Sequence, residues 1–197
     1  MFKLAEETAA DWWEVEALYD LCFAPGREAL SSYRLRDGVD PVAGLSLVAR
    51  DGEGILAAAI RYWPVRLEPL WVSRTAARLA TSCEEAAELP PEPTREAPDP
   101  TTFKVALLLG PVAVHPTHQG EGLGAYLIRE SLMRAHALGW PRVMLVGDAP
   151  YYSRFGFEKL TDVEMPPPTN PDRVLGYELT EGAWDGVTGR VVRWSAS

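Results

Sequence analysis

Apolar positions recur along this chain with two distinct periods. Trp12, Val15, Leu18, Tyr19 and Cys22 fall at helical spacing and predict an early helix with one buried face. Thr8 or Asp11 is placed to cap it, and Phe2 to Glu7 reads as a strand before it. Pro25-Gly26 ends that helix, and a second is predicted over Arg27 to Arg36, stopping near Gly38. Leu45 to Arg50 and Ile55 to Leu67 are strand-like runs joined by Asp51-Gly52-Glu53-Gly54, a strong hairpin signal. Lys104 to Val114 is a long apolar strand interrupted by Gly110-Pro111. Gly122 to Leu138 returns to the helical period, with Leu123, Leu127, Ser131 or Leu132, Ala135 and Leu138 on one face. Gly139 is placed to end it in a left-handed conformation. Arg142 to Val146 is the next strand, so strand, helix, strand implies a parallel pair with a crossover helix. A short helix at Tyr151 to Phe155 and two short strands follow, the second near Arg173 to Leu179, separated by the stiff run MPPPTNP.

Between the hairpin and the long strand the pattern lapses. Arg74 to Leu89 is compatible with a helix, but PPEPTREAPDP holds five prolines and fits no helix or sheet interior. Residues from about 68 to 102 therefore read as a Pro/Glu-rich insertion, or as a plain long loop, within a single domain spanning 1–197. The net charge of −9 is unevenly spread, because Glu84 to Asp99 alone carries −5 of it. The acidity argues against a nucleic-acid partner, which needs clustered Lys and Arg. The N-terminal residues lack the basic and apolar regions of a signal peptide. No apolar run reaches the length of a membrane span. Cys22 and Cys83 lack metal or redox spacing and fit free thiols of a cytoplasmic protein. His115, His118 and His136 have no partners at metal-ligand spacing, so no metal site is expected.

The chemistry-bearing stretch runs from Pro111 to Ile128, PVAVHPTHQGEGLGAYLI. Three alternate glycines, Gly120, Gly122 and Gly124, open a helix directly after a strand and turn. Such a helix start offers free N–H groups and a positive dipole end, and glycine lets a bulky anion approach the backbone. That arrangement is a diphosphate cradle. A nucleotide P-loop needs a Lys-Ser or Lys-Thr after the glycines, and none is there; a dinucleotide fingerprint needs GxGxxG, and the spacing here is GxGxG. A third pattern, Gln/Arg-x-x-Gly-x-Gly/Ala, is met at every position by Gln119-Gly120-Glu121-Gly122-Leu123-Gly124.

With the strand GPVAV, the HPTHQ turn, the strand VMLVGD and the element YYSRFGF, this loop resembles the GNAT superfamily of N-acetyltransferases, and within it the YhbS-like proteins. The resemblance implies an α/β fold whose mixed central sheet is split into a V and flanked by helices. It implies that acetyl-CoA is the cosubstrate and that Gln119, Gly120, Glu121, Gly122, Leu123 and Gly124 bind its pyrophosphate. It further implies that Val112, Ala113 and Val114 receive the pantetheine on a bulged, splayed strand, where a backbone N–H polarises the thioester carbonyl. Many relatives carry Arg or Lys where Glu121 stands; a carboxylate facing the ligand would weaken binding. Arg129 is placed to compensate, or is a solvated helix residue.

Transfer needs an acid for the leaving thiolate and a base or water for the amine proton. Tyr152, four residues before Gly156, matches the tyrosine many family members use as the acid; the alternative is that it packs on the pantetheine. The base is not identified. His115 has a suitable ordinary pKa but sits where it would shape the loop, and Glu28 and Asp148 have no spacing argument. Tyr33, Trp63 and Trp71 are candidates to line an acceptor pocket. The arginines of YRLRDG, Tyr33 to Gly38, either bind an acidic group or form a solvated helix face, and the latter is favoured. The expected activity is direct acetyl transfer to a primary amine of a small molecule or protein. The rival class is an acyl-CoA-binding sensor or scaffold without transferase activity. A homodimer is compatible with the resemblance.

Overall fold

Asp51 builds the first hairpin. Its Oδ1 accepts the N–H groups of Glu53 and Ile55, both at 2.9 Å, while its own N–H donates to the Ile55 carbonyl at 3.0 Å. The strands so joined are β2 (Leu47–Arg50) and β3 (Leu56–Glu68), and β1 (Lys3–Glu6) pairs antiparallel with β2 on the outer side. The computed structural model describes residues 2–23, 26–69 and 103–195. The helix anticipated over Arg74 to Leu89, Cys83 and Trp71 lie outside the described residues. Leu67 and Lys104 are paired rungs, so the chain departs from the sheet and rejoins it at one place.

β4 (Lys104–Val114) lies antiparallel to β3, and β5 (Arg142–Val146) lies parallel to β4. The crossover between them is α3 (Leu123–Ala137). Gly139 ends it with φ +80°, as its sequence position requires. Two other helices, α1 (Trp12–Cys22) and α2 (Ser31–Arg34), come earlier, and α4 (Ala149–Tyr152) follows β5. β8 (Val174–Glu178) continues the sheet antiparallel to β5, with β6 (Glu158–Lys159) beyond it. β9 (Gly189–Arg193) pairs with the distal end of β3 and carries β7 (Val163–Glu164) alongside. The mixed sheet flanked by helices is the architecture the sequence implied. The late strands β6, β7 and β9 were not individually legible, because two to five residues hold too little alternation to register.

The β3–β4 ladder contains one irregularity. Ile60 opposes Val112, but Tyr62 opposes Leu109, so β4 spends one extra residue opposite Arg61. Gly110 lies at that point with φ +116°, open to glycine and costly for other residues. The extra residue reverses the side-chain phase of β4. Leu107 and Leu109 face α3 before it, and Val112 and Val114 do so after it. On that face α3 buries Leu123, Leu127, Ile128, Leu132 and Ala135. Ser131 is also buried; it donates to the Ile128 carbonyl, so the hydroxyl of Tyr62, 2.7 Å away, donates to it. The opposite face carries α1, through Val15, Leu18 and Tyr19 against Ala59 and Ala113.

Three local expectations are corrected. Trp12 is 60% exposed rather than buried, because α1 meets the sheet through Val15, Leu18 and Tyr19, and its first turn overhangs the edge of that contact. The Asp11 side chain does not cap α1; its Oδ2 takes the Thr8 N–H and hydroxyl, and its Oδ1 takes Arg50 at 2.5 Å. The helix predicted over Arg27 to Arg36 is broken at Leu30, which is extended, into a 3-10 turn, Arg27–Ala29, and the single turn of α2. Arg27 is drawn inward by Glu16 at 2.7 Å and Asp20 at 2.8 Å, and these tertiary ion pairs outweigh a weak local propensity.

Candidate active site

β4 and β5 share only two parallel rungs, Leu107 with Val143 and Leu108 with Met144. Past them the strands diverge. The gap is a cavity of about 120 Å³ lined by Leu108 to Val112 on one side and by Leu145 and Val146 on the other, with Tyr152 in its wall. The sheet opens beside the bulge of β4, whose Gly110 and Pro111 line the cavity. Of the three strand residues singled out in the sequence, only Val112 lines the cavity. Ala113 is buried against α1, and the carbonyl of Val114 already accepts from Cys22 Sγ and Gln119 Nε2, each at 3.3 Å.

The glycine-rich loop lies beyond the end of β4. His115 starts a 3-10 turn (Pro116–His118), its Nδ1 engaging Thr117, so this histidine shapes the loop, as one of its two readings held. Gly120 and Gly122 have φ of +87° and +80°, and the space a side chain would occupy at either is empty to 4 Å. The backbone N–H groups of Gly120 to Gly124 find no acceptor among the described residues. Glu121 points sideways: its Oε1 sits 3.3 Å from His118 Nδ1. His118 in turn is 3.8 Å from Asp51. The carboxylate that threatened anion binding is thus turned toward an imidazole rather than toward the amides. Arg129 is exposed and lies over the Phe155 ring at 5.4 Å.

Asp148 caps α4 by accepting the Tyr151 N–H, which accounts for it without a catalytic role. α4 delivers Tyr152 into an aromatic setting, edge-on to Tyr151 at 5.0 Å and to Phe157 at 5.8 Å. Its hydroxyl has no hydrogen-bond partner among the described residues. Burial pushes its phenol up to about 12, with Tyr151 adding to the shift and Arg173 opposing it. The ring lies flat on Gly147, where a Cβ would come within 2.4 Å of Tyr152 Cε2. Gly147→Ala therefore displaces the ring. If Tyr152 serves the reaction, kcat falls roughly tenfold or more while CoA still raises the melting temperature; wild-type kcat would break the link.

Gly147 and Arg36 are residues the sequence reading missed. Gly147 stood inside VMLVGD, but only the fold brings Tyr152 onto it. For Arg36 a signal existed: Arg34 and Arg36 are two apart, so no helix places both on one solvated face. Arg34 is exposed and donates to the Pro167 carbonyl, whereas Arg36 points inward. The guanidinium is stacked between the rings of Tyr33, at 4.4 Å, and Trp63, at 4.6 Å. The favoured reading of a solvated arginine face is corrected for Arg36. A second, wider cavity of about 780 Å³ adjoins this residue, and it includes Tyr33 and Trp63, two of the aromatic candidates.

A mixed sheet opened between two parallel strands, with a glycine-rich helix start beyond the end of β4, is the architecture this chain shares with solved GNAT acetyltransferases. Residues 94–159 match the family model of the Acetyltransferase (GNAT) domain. Among its relatives is the uncharacterized N-acetyltransferase YhbS of Escherichia coli (strain K12), 26% identical over 182 residues, covering 90% of this chain and 87% of that protein. The crystal structure of Escherichia coli YhbS in complex with CoA superimposes with a TM-score of 0.68, covering 98% of this chain and 89% of that one. A GNAT family acetyltransferase from Brucella melitensis, in complex with acetyl-CoA, shares the fold at a TM-score of 0.61 and 22% identity, covering 99% of this chain and 97% of that one. Among the described residues no cluster of His, Cys, Asp or Glu is arranged for a metal ion, and no helix is long and apolar enough to cross a membrane.

Proposed function

We propose that this chain transfers an acetyl group from acetyl-CoA directly to a primary amine, as a single acetyltransferase domain with residues from about 68 to 102 inserted in it. The observation that carries this reading is the succession of features along β4: the gap between β4 and β5, Tyr152 in its wall with no hydroxyl partner among the described residues, and the unpaired amides of Gly120 to Gly124 beyond the strand's end. In this reading Gln119 to Gly124 hold the pyrophosphate, Glu121 by its amide alone. Val112 to Val114 supply backbone groups and apolar surface to the pantetheine, and a backbone N–H in this region polarises the thioester carbonyl.

The amine nitrogen attacks the thioester carbon, the C–S bond breaks, and the ammonium proton passes through water to solvent. Glu7 and Glu16 are committed to Arg61 and Arg27 and are poor bases. Tyr152 donates a hydrogen bond to the departing sulfur. A phenol held at about 12 is a weaker acid than a free thiol by roughly three units, so it stabilises the thiolate by hydrogen bonding while solvent supplies the final proton. The reading carries a cytoplasmic location, where acetyl-CoA is available. The complexes of YhbS with CoA and of the Brucella melitensis protein with acetyl-CoA support the choice of cosubstrate.

The test is thermal shift with CoA, acetyl-CoA, ATP and NAD, then thiol release across an amine panel. Stabilisation by the two CoA forms and acceptor-dependent release are expected. Stabilisation by ATP or NAD but not CoA would sink the cosubstrate assignment. CoA binding without release would favour the acyl-CoA sensor or scaffold.

A further inference from the structure

We propose that the acceptor is an amino acid, and that Arg36 binds its carboxylate while the neighbouring amine faces the thioester. This rests on the acetyl-transfer reading above. The two cavities meet at Tyr33, Arg36 and Pro111, residues that line both. Arg36 therefore stands between the cleft holding Tyr152 and the wider chamber.

Four arginines line that chamber, and three are already satisfied. Arg27 is paired with Glu16 and Asp20, and donates to the Tyr33 hydroxyl at 2.8 Å. Arg61 holds Glu7 and Glu16 at 2.6 and 2.5 Å. Arg34 donates to a backbone carbonyl. Of the four, Arg36 has neither a carboxylate nor a carbonyl partner among the described residues, and its Nε and Nη1 are shut off from solvent with no hydrogen bond. Burial lowers its pKa to about 10, which still leaves it charged at neutral pH. A buried charge without a counter-ion is costly, and two aromatic faces repay only part of that cost. A small carboxylate meets the fork of a guanidinium with two parallel hydrogen bonds and would complete the site.

The position of the charge limits the ligand. A Cβ on Gly110 would lie 3.8 Å from Arg36 Nη2, so the fork lies over the β4 bulge, where the strands part. A carboxylate there, one carbon from an amine, keeps that amine close to the cleft. Glu28, Asp37 and Asp40 also line the chamber. They oppose a second negative group on the acceptor and leave Arg36 as its one uncompensated attraction for an anion. The same anion could instead belong to the acyl chain, as in succinyl-CoA, and the test separates the two sources.

Thiol release from acetyl-CoA is measured with the common L-amino acids, each against its carboxamide. At least one acid is expected to exceed its amide by roughly tenfold or more in kcat/KM, the size of a lost charge-assisted pair. Arg36→Met is expected to erase that preference while CoA still raises the melting temperature, and Arg36→Lys to restore part of it. Equal use of acid and amide overturns the proposal, as does a preference that survives Arg36→Met. A strong gain with succinyl-CoA on carboxylate-free amines also overturns it, placing the anion on the acyl group. No release with any amino acid, from protein that CoA stabilises, rejects the acceptor class and leaves the cosubstrate reading standing. Loss of CoA stabilisation in the wild-type protein would instead reject that underlying reading. The paired comparison uses the wild-type chain and holds even if a variant fails to fold.

Discussion

Tyr152→Phe is expected to lower kcat about a hundredfold while the KM for acetyl-CoA moves by less than about threefold, since a hydrogen-bond donor to the sulfur acts only as charge develops there. Phenylalanine keeps the ring on Gly147 and its edge contacts with Tyr151 and Phe157. What it removes is the hydroxyl, the one polar atom of that ring and one with no partner among the described residues. The hydroxyl also sets a pH signature. Burial raises the phenol to about 12, above the ordinary value of about 10, so the folded state holds this proton more tightly than the unfolded chain does. Its contribution to stability is complete below pH about 10 and is lost as pH rises toward about 12. An ultraviolet titration should show one late tyrosinate fewer in the variant than in the wild-type protein. Steady-state kinetics decide the main claim: an unchanged kcat would reduce Tyr152 to a packing residue.

The second large effect is expected at the loop. Gly122→Val should weaken CoA binding roughly tenfold to a hundredfold, with kcat at saturating acetyl-CoA largely kept. Two causes add. Gly122 is left-handed, φ +80°, which costs a side-chain-bearing residue about 1–2 kcal/mol and more when β-branched. Valine would also fill the space over the amides that is empty in the protein to 4 Å. Because nothing of the protein is struck, the melting temperature should drop only by the strain, while affinity drops by strain and obstruction together. Calorimetric titration with CoA reads the second, and unaltered affinity would move the pyrophosphate away from Gly120 to Gly124.

Much of this site was legible from residues close in sequence. Gln119 to Gly124 announced a helix start able to hold an anion, because alternate glycines and free N–H groups are properties of one short segment. Tyr152 was legible only through its family-like spacing before Gly156, since nothing local says that its hydroxyl stands free in a cleft. Glu121 shows the opposite limit: its charge was plain, but its direction depends on His118 and Asp51, and Asp51 comes from a different hairpin. Arg36 was the main misreading. Its helix was expected to continue from Arg27 and to show its arginines to water. Ion pairs from Arg27 to α1 cut that helix short and let Arg36 turn inward between Tyr33 and Trp63.

The sequence by itself determined the strand, helix and glycine-loop order from Lys104 to Val146, because periodicity, capping and left-handed glycines act over a few residues. It also located −5 of the net −9 in Glu84 to Asp99, outside the stretches of sequence that hold the site residues. Only the tertiary structure decided how β4 parts from β5, which amides stay unpaired among the described residues, and that Arg36 is buried there without a carboxylate or carbonyl partner. Those outcomes depend on the register of β4 against β3 and on ion pairs between α1 and segments brought to it by the fold. Register and burial are set by the whole sheet at once, and no local window of the chain contains them.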